Sequence, residues 1–367
     1  MNLKVGIAGG KRGKVFYQEF SRHEGVEVVA IMDPDQKVLD EFTAVPFLYT
    51  EYDQLLECDL DIVVIASPMQ YHAQQAIAAL NKNIHVLSEV TAATTVEECQ
   101  ALLEAAQNSQ AQYMLGENYC YIPENICIKN MVAAGLFGDI YYAEGEYVHN
   151  VRALHHDEQG KETWRKKMQV GRAGITYGTH SLGPVLQWMD EKIAGIYCVG
   201  SGASRYPGYT HDDTTTMLCK TGSGAMIRIR LDLLSNRPHQ MNYYSLQGTK
   251  GCYEAARSKN QEPLVWIEGY AKHSEEWLPL SDFYDEYLPF KLEDIPNRKN
   301  HWGGDYLMVT DFLTAIKEDK PVPINIHQAL EMTLPGILSE ESIMTEGKMI
   351  EMPYLSSKNK KELHENR

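Results

Sequence analysis

The first 120 residues alternate short apolar runs with segments of helical spacing, and this alternation limits the fold more than any other feature of the sequence. The apolar runs are short and continuous, as expected for strands that are buried on both faces. They occupy residues 5–8, 26–32, 62–66, 84–87 and 113–115. Helical segments between them include residues 15–21, 70–80 and 96–108. Strands and helices in this order predict a doubly wound parallel sheet.

The pattern changes after about residue 120. A helix is predicted at residues 125–134, ending at Gly135, and strand patterns then dominate. The predicted strands are residues 140–149, 193–199, 214–220, 225–233 and 243–248, with helices to follow at 306–317 and 326–345. Alternating patterns and the turn signal TGSG indicate antiparallel pairing. We therefore predict a doubly wound domain at 1–120, an α/β domain with a largely antiparallel open sheet at 121–355, and a polar tail at 356–367.

The composition excludes several classes of partner. The 367 residues carry a formal net charge of −16, which argues against nucleic acid and anionic membranes because phosphate groups require a basic surface. The seven cysteines are odd in number and form no CxxC pair, which argues against a disulfide framework or a zinc ribbon. Met1 leads directly into a strand pattern, and no apolar run approaches the ~20 residues of a membrane helix. We therefore expect a cytoplasmic protein with reduced thiols.

A glycine-rich loop, VGIAGGKRG, joins the first predicted strand to the first helix. Gly9, Gly10 and Gly13 would let the backbone approach a pyrophosphate at a helix N-terminus. The spacing is one residue short of GxGxxG, and glycines here could also serve tight packing alone. Asp33 follows about 20 residues later, where an acid binds the ribose hydroxyls and favours NAD over NADP. The same acid could instead start the turn at 33–35.

Further candidate cofactor residues follow the predicted strand at 62–66. Ser67, Pro68 and His72, in the stretch IASPMQYH, would lie at the carboxyl end of the sheet, where ligands bind in such folds. Lys11 and Arg12 in the glycine loop are either cofactor neighbours or solvated residues at the start of a helix.

The glycine loop, Asp33, IASPMQYH and SEVTAATT together resemble the Gfo/Idh/MocA family of NAD(P)-dependent proteins over nearly the whole chain. The resemblance implies an N-terminal Rossmann domain, a C-terminal α/β domain with an open sheet, and a homodimer or homotetramer formed through that sheet. Dehydrogenases of this family typically carry Glu-Lys-Pro and an Asp four residues before a His. Here Val90 follows Glu89, and Thr176 lies four residues before His180.

Several stretches resemble one branch of that family, the NAD-dependent glycosidases of glycoside hydrolase family 109. They include EVTAATT, ENYCY, GLFGDI, YGTHSLGPV and HWGGDY. The resemblance assigns cofactor contacts to Lys11, Arg12, Asp33, His72, Glu89, Val90 and Asn118, the last also near the substrate. It assigns substrate contacts to Tyr147, Arg165, Tyr177 and His180. The chain departs from the branch at Met69, where the glycosidases have Trp, and at His239, a predicted substrate contact that replaces a Tyr facing the sugar.

Glycosidases usually place two carboxyl groups across the scissile bond, whereas these stretches offer tyrosines and histidines. The resemblance implies a redox-neutral route on a small carbohydrate. Tightly bound NAD takes a hydride from C3, a base removes the C2 proton as the C1 substituent leaves, water adds to C1, and the hydride returns. We assign His180 to the C3 hydroxyl proton and Tyr147 to the C2 proton. Tyr147 needs a nearby cation to lower its pKa, and Arg165 either is that cation or orients a sugar hydroxyl. Tyr177 would bind the substrate, and the two tyrosines could exchange roles.

Other interpretations of these residues stay open. An ordinary sugar dehydrogenase could rely on His180 alone, a 3-keto-sugar lyase or epimerase would stop partway along the route, and a non-catalytic sugar- or NAD-binding protein would keep only the fold. His180 could cap the helix at 182–189, Tyr147 could simply pack in a strand, and Trp164 and Arg165 could form a surface stack. The histidines and acids show no metal-ligand spacing, so no metal is predicted.

Overall fold

The computed structural model describes residues 2–202, 204–238, 241–296, 298 and 301–355. The chain forms two compact units: residues up to Glu117, Asp305–Leu330 and residues from Pro353 make the first, and Asn118–Gly304 and Glu331–Met352 the second. The predicted boundary after residue 120 assigns 305–330 to the second domain, whereas the contacts group this segment with the first unit. His239 and the tail at 356–367 lie outside the described residues.

The first unit is built on a six-stranded parallel sheet with the order β3-β2-β1-β4-β5-β6. Its strands are β1 (Leu3–Ala8), β2 (Val26–Met32), β3 (Phe47–Tyr49), β4 (Ile62–Ile65), β5 (His85–Ser88) and β6 (Tyr113–Leu115). The helices between them are α1 (Gly10–Phe20), α2 (Gln36–Leu39), α3 (Tyr52–Leu55), α4 (His72–Asn81) and α5 (Val96–Asn108). This is the strand order of a Rossmann domain, which confirms the predicted fold. The edge strand β3 escaped prediction because its three residues are exposed or half-buried and give no continuous apolar run.

The second unit contains a nine-stranded sheet with the order β14-β13-β12-β11-β7-β10-β9-β8-β15. Its strands are β7 (Ile140–Val148), β8 (Ile193–Gly200), β9 (Thr215–Thr221), β10 (Met226–Asp232), β11 (Asn242–Gly248), β12 (Gly251–Glu254), β13 (Leu264–Ile267), β14 (Leu278–Pro279) and β15 (Ile350–Glu351). The remaining helices are α6 (Pro123–Ala133), α7 (Trp164–Met168), α8 (Thr179–Met189), α9 (Tyr284–Tyr287), α10 (Gly304–Lys317) and α11 (Ile326–Met344). Among the described strands β7 and β10 pair in parallel and the other neighbours are antiparallel, which confirms the predicted largely antiparallel sheet.

Helix α8 packs against strand β7, and a glycine makes the close approach possible. Gly145 lies within β7, and a Cβ atom at this position would be 1.9 Å from the carbonyl oxygen of Ser181 in α8. His180 immediately precedes Ser181, so this backbone approach brings the first turn of α8 next to the side chains of β7. Gly145 thereby sets the separation between His180 and Tyr147.

Replacing Gly145 with alanine is expected to destabilise the fold. The added methyl group would force α8 and β7 apart, and overpacking of this kind costs about 1–3 kcal/mol. Urea denaturation of the variant should show a lower midpoint with an unchanged slope. Gly222→Ala is the matched control, because the nearest atom to an added Cβ there is the Lys192 carbonyl oxygen, 4.0 Å away. Equal stability of the two variants would contradict the account of the β7–α8 contact.

Three absences apply to the described part of the chain. No helix in it has the length and apolar character needed to cross a membrane. All seven cysteines lie in it, and none is joined in a disulfide. No group of three or more His, Cys, Asp or Glu side chains in it is arranged to hold a metal ion.

Candidate active site

The glycine loop places the start of α1 against the ends of β2 and β4. Gly9 has φ +92°, and a Cβ atom there would lie 2.5 Å from backbone atoms of Ala66. Gly13 faces Ile7 so closely that a Cβ atom would lie 2.7 Å from its methyl group. Without side chains at these glycines, the loop backbone packs closely against Ala66 and Ile7, and the N–H groups at the start of α1 could approach a pyrophosphate. The packing role and the cofactor role of these glycines are compatible.

Asp33 closes this loop from the end of β2. One carboxylate oxygen accepts the N–H of Gly10 at 2.8 Å, and the other accepts the N–H of Asp35 at 2.9 Å. Asp33 therefore starts the turn that the sequence suggested and also fixes the glycine loop. The residue is 9% exposed, and each carboxylate oxygen has a further lone pair that could accept a ribose hydroxyl. The glycine loop and this acid fit a dinucleotide.

Arg12 is held by two carboxylates of the first unit. Its Nε lies 2.5 Å from Glu89 Oε1, and its Nη2 lies 2.8 Å from Asp305 Oδ1. Burial alone would lower the pKa of the guanidinium, but the two carboxylates outweigh burial and raise the pKa above its ordinary value. The predicted cofactor contacts Arg12 and Glu89 are thus joined in one ion network, while Lys11 is exposed. Asp305 is not among the predicted site residues, although it lies in the stretch HWGGDY.

Arg12→Met is expected to destabilise the first unit strongly. The change removes the guanidinium that both carboxylates contact, and breaking a buried ion pair costs about 3–5 kcal/mol. Thermal unfolding should show a lower midpoint than that of the wild type. The exposed pair of Lys14 with Glu41 supplies the control, since Lys14→Met should change stability by at most about 1 kcal/mol. A variant at Arg12 as stable as this control would refute the network.

His72 connects the two loops that follow β4 and β5. Its Nδ1 lies 2.8 Å from the Thr91 carbonyl oxygen and its Nε2 lies 2.8 Å from the Ser67 carbonyl oxygen. Burial lowers the pKa of the imidazole, although both carbonyls oppose the shift. Pro68 precedes the short helix Met69–Tyr71. These contacts tie the loop after β4 to Thr91, the neighbour of Val90, which is 2% exposed and occupies the lysine position with an apolar side chain.

In the second unit, three predicted residues meet in one aromatic cluster. The His180 ring centroid lies 5.0 Å from that of Tyr147 and 5.1 Å from that of Tyr177, each in an edge-on arrangement. The centroids of Tyr147 and Tyr177 are 6.1 Å apart. Tyr119 completes the cluster with its centroid 4.1 Å from that of His180. The sequence stretch ENYCY contained Tyr119, but nothing distinguished it from a packing residue.

The backbone fixes His180 in this position. Helix α8 begins at Thr179 with Gly178 as its N-cap, so His180 belongs to the first turn and does not cap the helix. The Tyr244 hydroxyl, from β11, donates to the His180 carbonyl oxygen. The backbone of His180 is therefore held both by a strand of the sheet and by its own helix, and 6% of the residue is exposed.

Tyr147 has a hydrogen-bonding partner two residues along the chain. Its hydroxyl oxygen lies 2.8 Å from the ring atom Nδ1 of His149. The backbone N–H of His149 donates to the Asp232 carbonyl oxygen at 2.8 Å. The Arg165 guanidinium lies over the Trp164 ring, 4.6 Å from its centroid, so the two side chains form the stack that the sequence suggested as an alternative. The position of Arg165 beside Tyr147 stays a prediction. Asn118 is buried in the helical turn Asn118–Tyr121 at the start of the second unit.

Family models match both units. The model described as "Oxidoreductase family, NAD-binding Rossmann fold" matches residues 3–117. The model described as "Glycosyl hydrolase 109, C-terminal domain" matches residues 121–208 and 203–361, more than half of the chain. The chain belongs to the glycosyl hydrolase 109 family. Its first unit is accordingly an NAD-binding Rossmann domain of the Gfo/Idh/MocA type.

Relatives agree with placement in the glycosyl hydrolase 109 family. The glycosyl hydrolase family 109 protein of Shewanella woodyi is 28% identical over 96% of this chain and 84% of its own. That of Solibacter usitatus is 27% identical over 93% of this chain and 85% of its own.

Solved structures of other proteins share the fold. An oxidoreductase domain protein from Kribbella flavida superposes with a TM-score of 0.83 at 19% identity, covering 96% of this chain and 100% of its own. Levoglucosan dehydrogenase in complex with NADH and L-sorbose gives 0.81 at 18% identity, covering 96% and 100%. At such identities the likeness establishes the fold alone.

Proposed function

We propose that the protein is an NAD-dependent, redox-neutral glycosidase that acts on a small carbohydrate. The observation that carries the proposal is the presence of two proton-accepting side chains, His180 and Tyr147, with ring centroids 5.0 Å apart. Oxidation of an alcohol requires one such group, whereas oxidation at C3 followed by elimination across C1 and C2 requires two, at adjacent positions of the sugar. Val90 also favours a glycosidase, because its apolar side chain replaces the lysine that sugar dehydrogenases carry.

The glycine loop and Asp33 would hold NAD, which would supply the hydride acceptor for C3 and the hydride that restores it. His180 accepts the proton of the C3 hydroxyl, a role that imidazoles commonly fill as general bases. With that proton gone and C3 a carbonyl, the hydrogen on C2 becomes acidic. Tyr147 removes it as the bond from C1 to the leaving oxygen breaks, and that oxygen takes up a proton from solvent. Water then adds, with its oxygen on C1 and a proton on C2, before the C3 carbonyl is reduced again.

Tyr147 requires help because a phenol with a pKa of about 10 is mostly protonated near neutral pH. We assign that help to His149, whose Nδ1 lies 2.8 Å from the phenol oxygen. A neutral His149 accepts the phenol proton as Tyr147 takes the proton from C2, so no free phenolate has to persist. Tyr177, on the far side of His180, binds and orients the sugar. Arg165, Asn118 and His239 stay predicted substrate contacts.

A panel of nitrophenyl α- and β-glycosides, incubated with the purified enzyme without added NAD, tests this function. Nitrophenol release and the absorbance of reduced nicotinamide are followed together. We expect sustained release for at least one sugar with no build-up of NADH, because each turnover returns the hydride. Steady NADH accumulation without cleavage would instead identify a sugar dehydrogenase, and a 3-keto sugar product would identify a lyase.

We also propose that the open face of the second sheet joins copies of the chain into a homodimer or homotetramer. Tyr197 is 41% exposed, Val199 58% and Leu218 42%, and Leu218 pairs directly with Tyr197 across β8 and β9. Contiguous exposed apolar residues of this kind mark interaction surfaces. The opposite face of the sheet is covered by α8, so this face is the one available to a second copy.

Leu218→Lys is expected to shift the assembly toward the monomer. A lysine in the centre of the patch would place an unpaired charge in the interface. Light scattering coupled to gel filtration should report a dimer or tetramer for the wild type and a mass near 41.6 kDa for the variant. Lys220→Ala, on the same strand, serves as the control. A monomeric wild type would overturn the proposal.

A further inference from the structure

A cavity of about 500 Å³ lies in the second unit, within the range of about 300–1,000 Å³ that small-molecule sites occupy. Tyr244 and Tyr253 line it from the sheet, Glu124 from the start of α6, and Asn242 from the start of β11. Trp302 lines it from the segment before α10. Apart from Tyr244, which supports His180 through a hydrogen bond, none of these side chains takes part in the proposed reaction.

Two oxygen atoms in the cavity wall are unsatisfied. Glu124 Oε2 and Asn242 Oδ1 are buried and have no hydrogen-bond partner among the described residues. Buried polar atoms in folded proteins are nearly always hydrogen-bonded, because an unpaired one costs about 1–3 kcal/mol. Burial raises the pKa of the Glu124 carboxyl, with its own backbone N–H and the Arg298 charge opposing the shift. The wall thus offers an amide oxygen and a carboxyl oxygen, neither of which has a hydrogen-bond partner among the described residues.

The cavity adjoins the aromatic cluster. The rings of His301 and Trp302, both in the cavity wall, have centroids 6.2 and 6.3 Å from that of Tyr119, which stacks on His180. Asn242 is the strand partner of Tyr147 in the pairing of β11 with β7. A ligand in the cavity would therefore lie beside the residues that act on C2 and C3.

The lining indicates the chemical class of the ligand. The buried part of the wall combines aromatic rings with polar oxygens, the combination that binds hydroxylated rings. The cations Lys259 and Arg298 are exposed, so among the described residues of the wall no lysine or arginine offers a buried positive charge to a phosphate. A neutral ring with several hydroxyl groups fits this environment.

We propose that this cavity binds the leaving group of the substrate as a second pyranose unit, so that the enzyme acts on disaccharides or longer glycosides in preference to glycosides of simple alcohols. The inference rests on the proposed glycosidase function. Hydroxyl groups of the second sugar would donate to Asn242 Oδ1 and pair with Glu124, and its apolar face would lie on Trp302.

The test compares two substrates that share the transferred sugar. One is the nitrophenyl glycoside that is cleaved fastest in the panel, and the other is the disaccharide in which galactose replaces nitrophenol. Asn242→Ala and, separately, Glu124→Gln should reduce kcat/KM for the disaccharide about 10- to 100-fold and leave that for the nitrophenyl glycoside within about twofold. Gln247→Ala, farther along β11, is the control and should change neither.

Binding is measured independently of turnover by saturation-transfer NMR, with the same disaccharide and the Tyr147→Phe protein. We expect saturation of protons on both rings, and loss of the galactose signals when Asn242→Ala is added. If no glycoside is cleaved, the glycosidase function fails, and galactose alone then tests the cavity: the protein should saturate its protons, and Asn242→Ala should abolish that saturation. Equal losses for both substrates, or no saturation of the galactose ring, would overturn the proposal.

Discussion

Tyr147→Phe is expected to stop glycoside cleavage while leaving the first oxidation intact. Removing the hydroxyl removes the group that takes the C2 proton, and loss of a general base reduces kcat by about 10²- to 10⁴-fold. The sugar should still be oxidised at C3, so one equivalent of NADH should appear per active site and persist. Stopped-flow absorbance of the reduced nicotinamide, recorded beside nitrophenol release, separates the two events.

Tyr142→Phe is the matched control for this experiment. Tyr142 lies on the same strand, β7, and its hydroxyl donates to Glu144, outside the aromatic cluster. The control should retain wild-type turnover. If Tyr147→Phe keeps more than about a tenth of the wild-type kcat, another residue removes the C2 proton, and Tyr177 is the first candidate because its ring centroid lies 6.1 Å from that of Tyr147.

His180→Ala is expected to block the reaction one step earlier. Without the imidazole, the C3 hydroxyl proton has no acceptor, so neither the NADH transient nor cleavage should occur, and kcat should fall about 10²- to 10⁴-fold. Sugar binding, measured by calorimetry, should weaken far less than turnover. A non-catalytic binding protein would show no turnover in the wild type and the same ligand affinity in both proteins.

The double variant Tyr147→Phe/His180→Ala refines this result. Both residues act in one sequence of steps, so the double variant should be no slower than His180→Ala alone, since effects of residues that act as a unit are not additive. His273→Asn, at an exposed position, controls for the loss of a histidine as such. An NADH transient in His180→Ala would contradict the assignment of the first proton to His180.

The Rossmann domain could be predicted from sequence because its strands are continuous apolar runs and its helices have regular spacing. The strand β4 illustrates this, since all four of its residues are fully buried. The second sheet was harder, because its short strands β12 to β15 carry little periodicity. Its register could not be predicted at all, and register decides that Asn242 lies opposite Tyr147.

The candidate site could likewise be predicted only in part. The resemblance singled out Tyr147, Tyr177 and His180, and the structure brings them together. The partners of these residues depend on tertiary contacts that no local pattern encodes. Arg12 meets Asp305 across 293 positions of sequence, and Tyr244 reaches the His180 carbonyl across 64.

The fate of the hydrogen on C2 tests the proposed oxidation and elimination most directly. The glycoside identified in the panel is cleaved in heavy water without added NAD, and the released sugar is examined by proton NMR. Oxidation followed by elimination passes through a state without the C2 hydrogen, and the pair of Tyr147 with a half-buried His149 gives that hydrogen a path to exchange with solvent. We predict that the released sugar carries deuterium at C2 and that no NADH accumulates. Release of sugar that retains its original C2 hydrogen throughout would contradict the proposed oxidation and elimination.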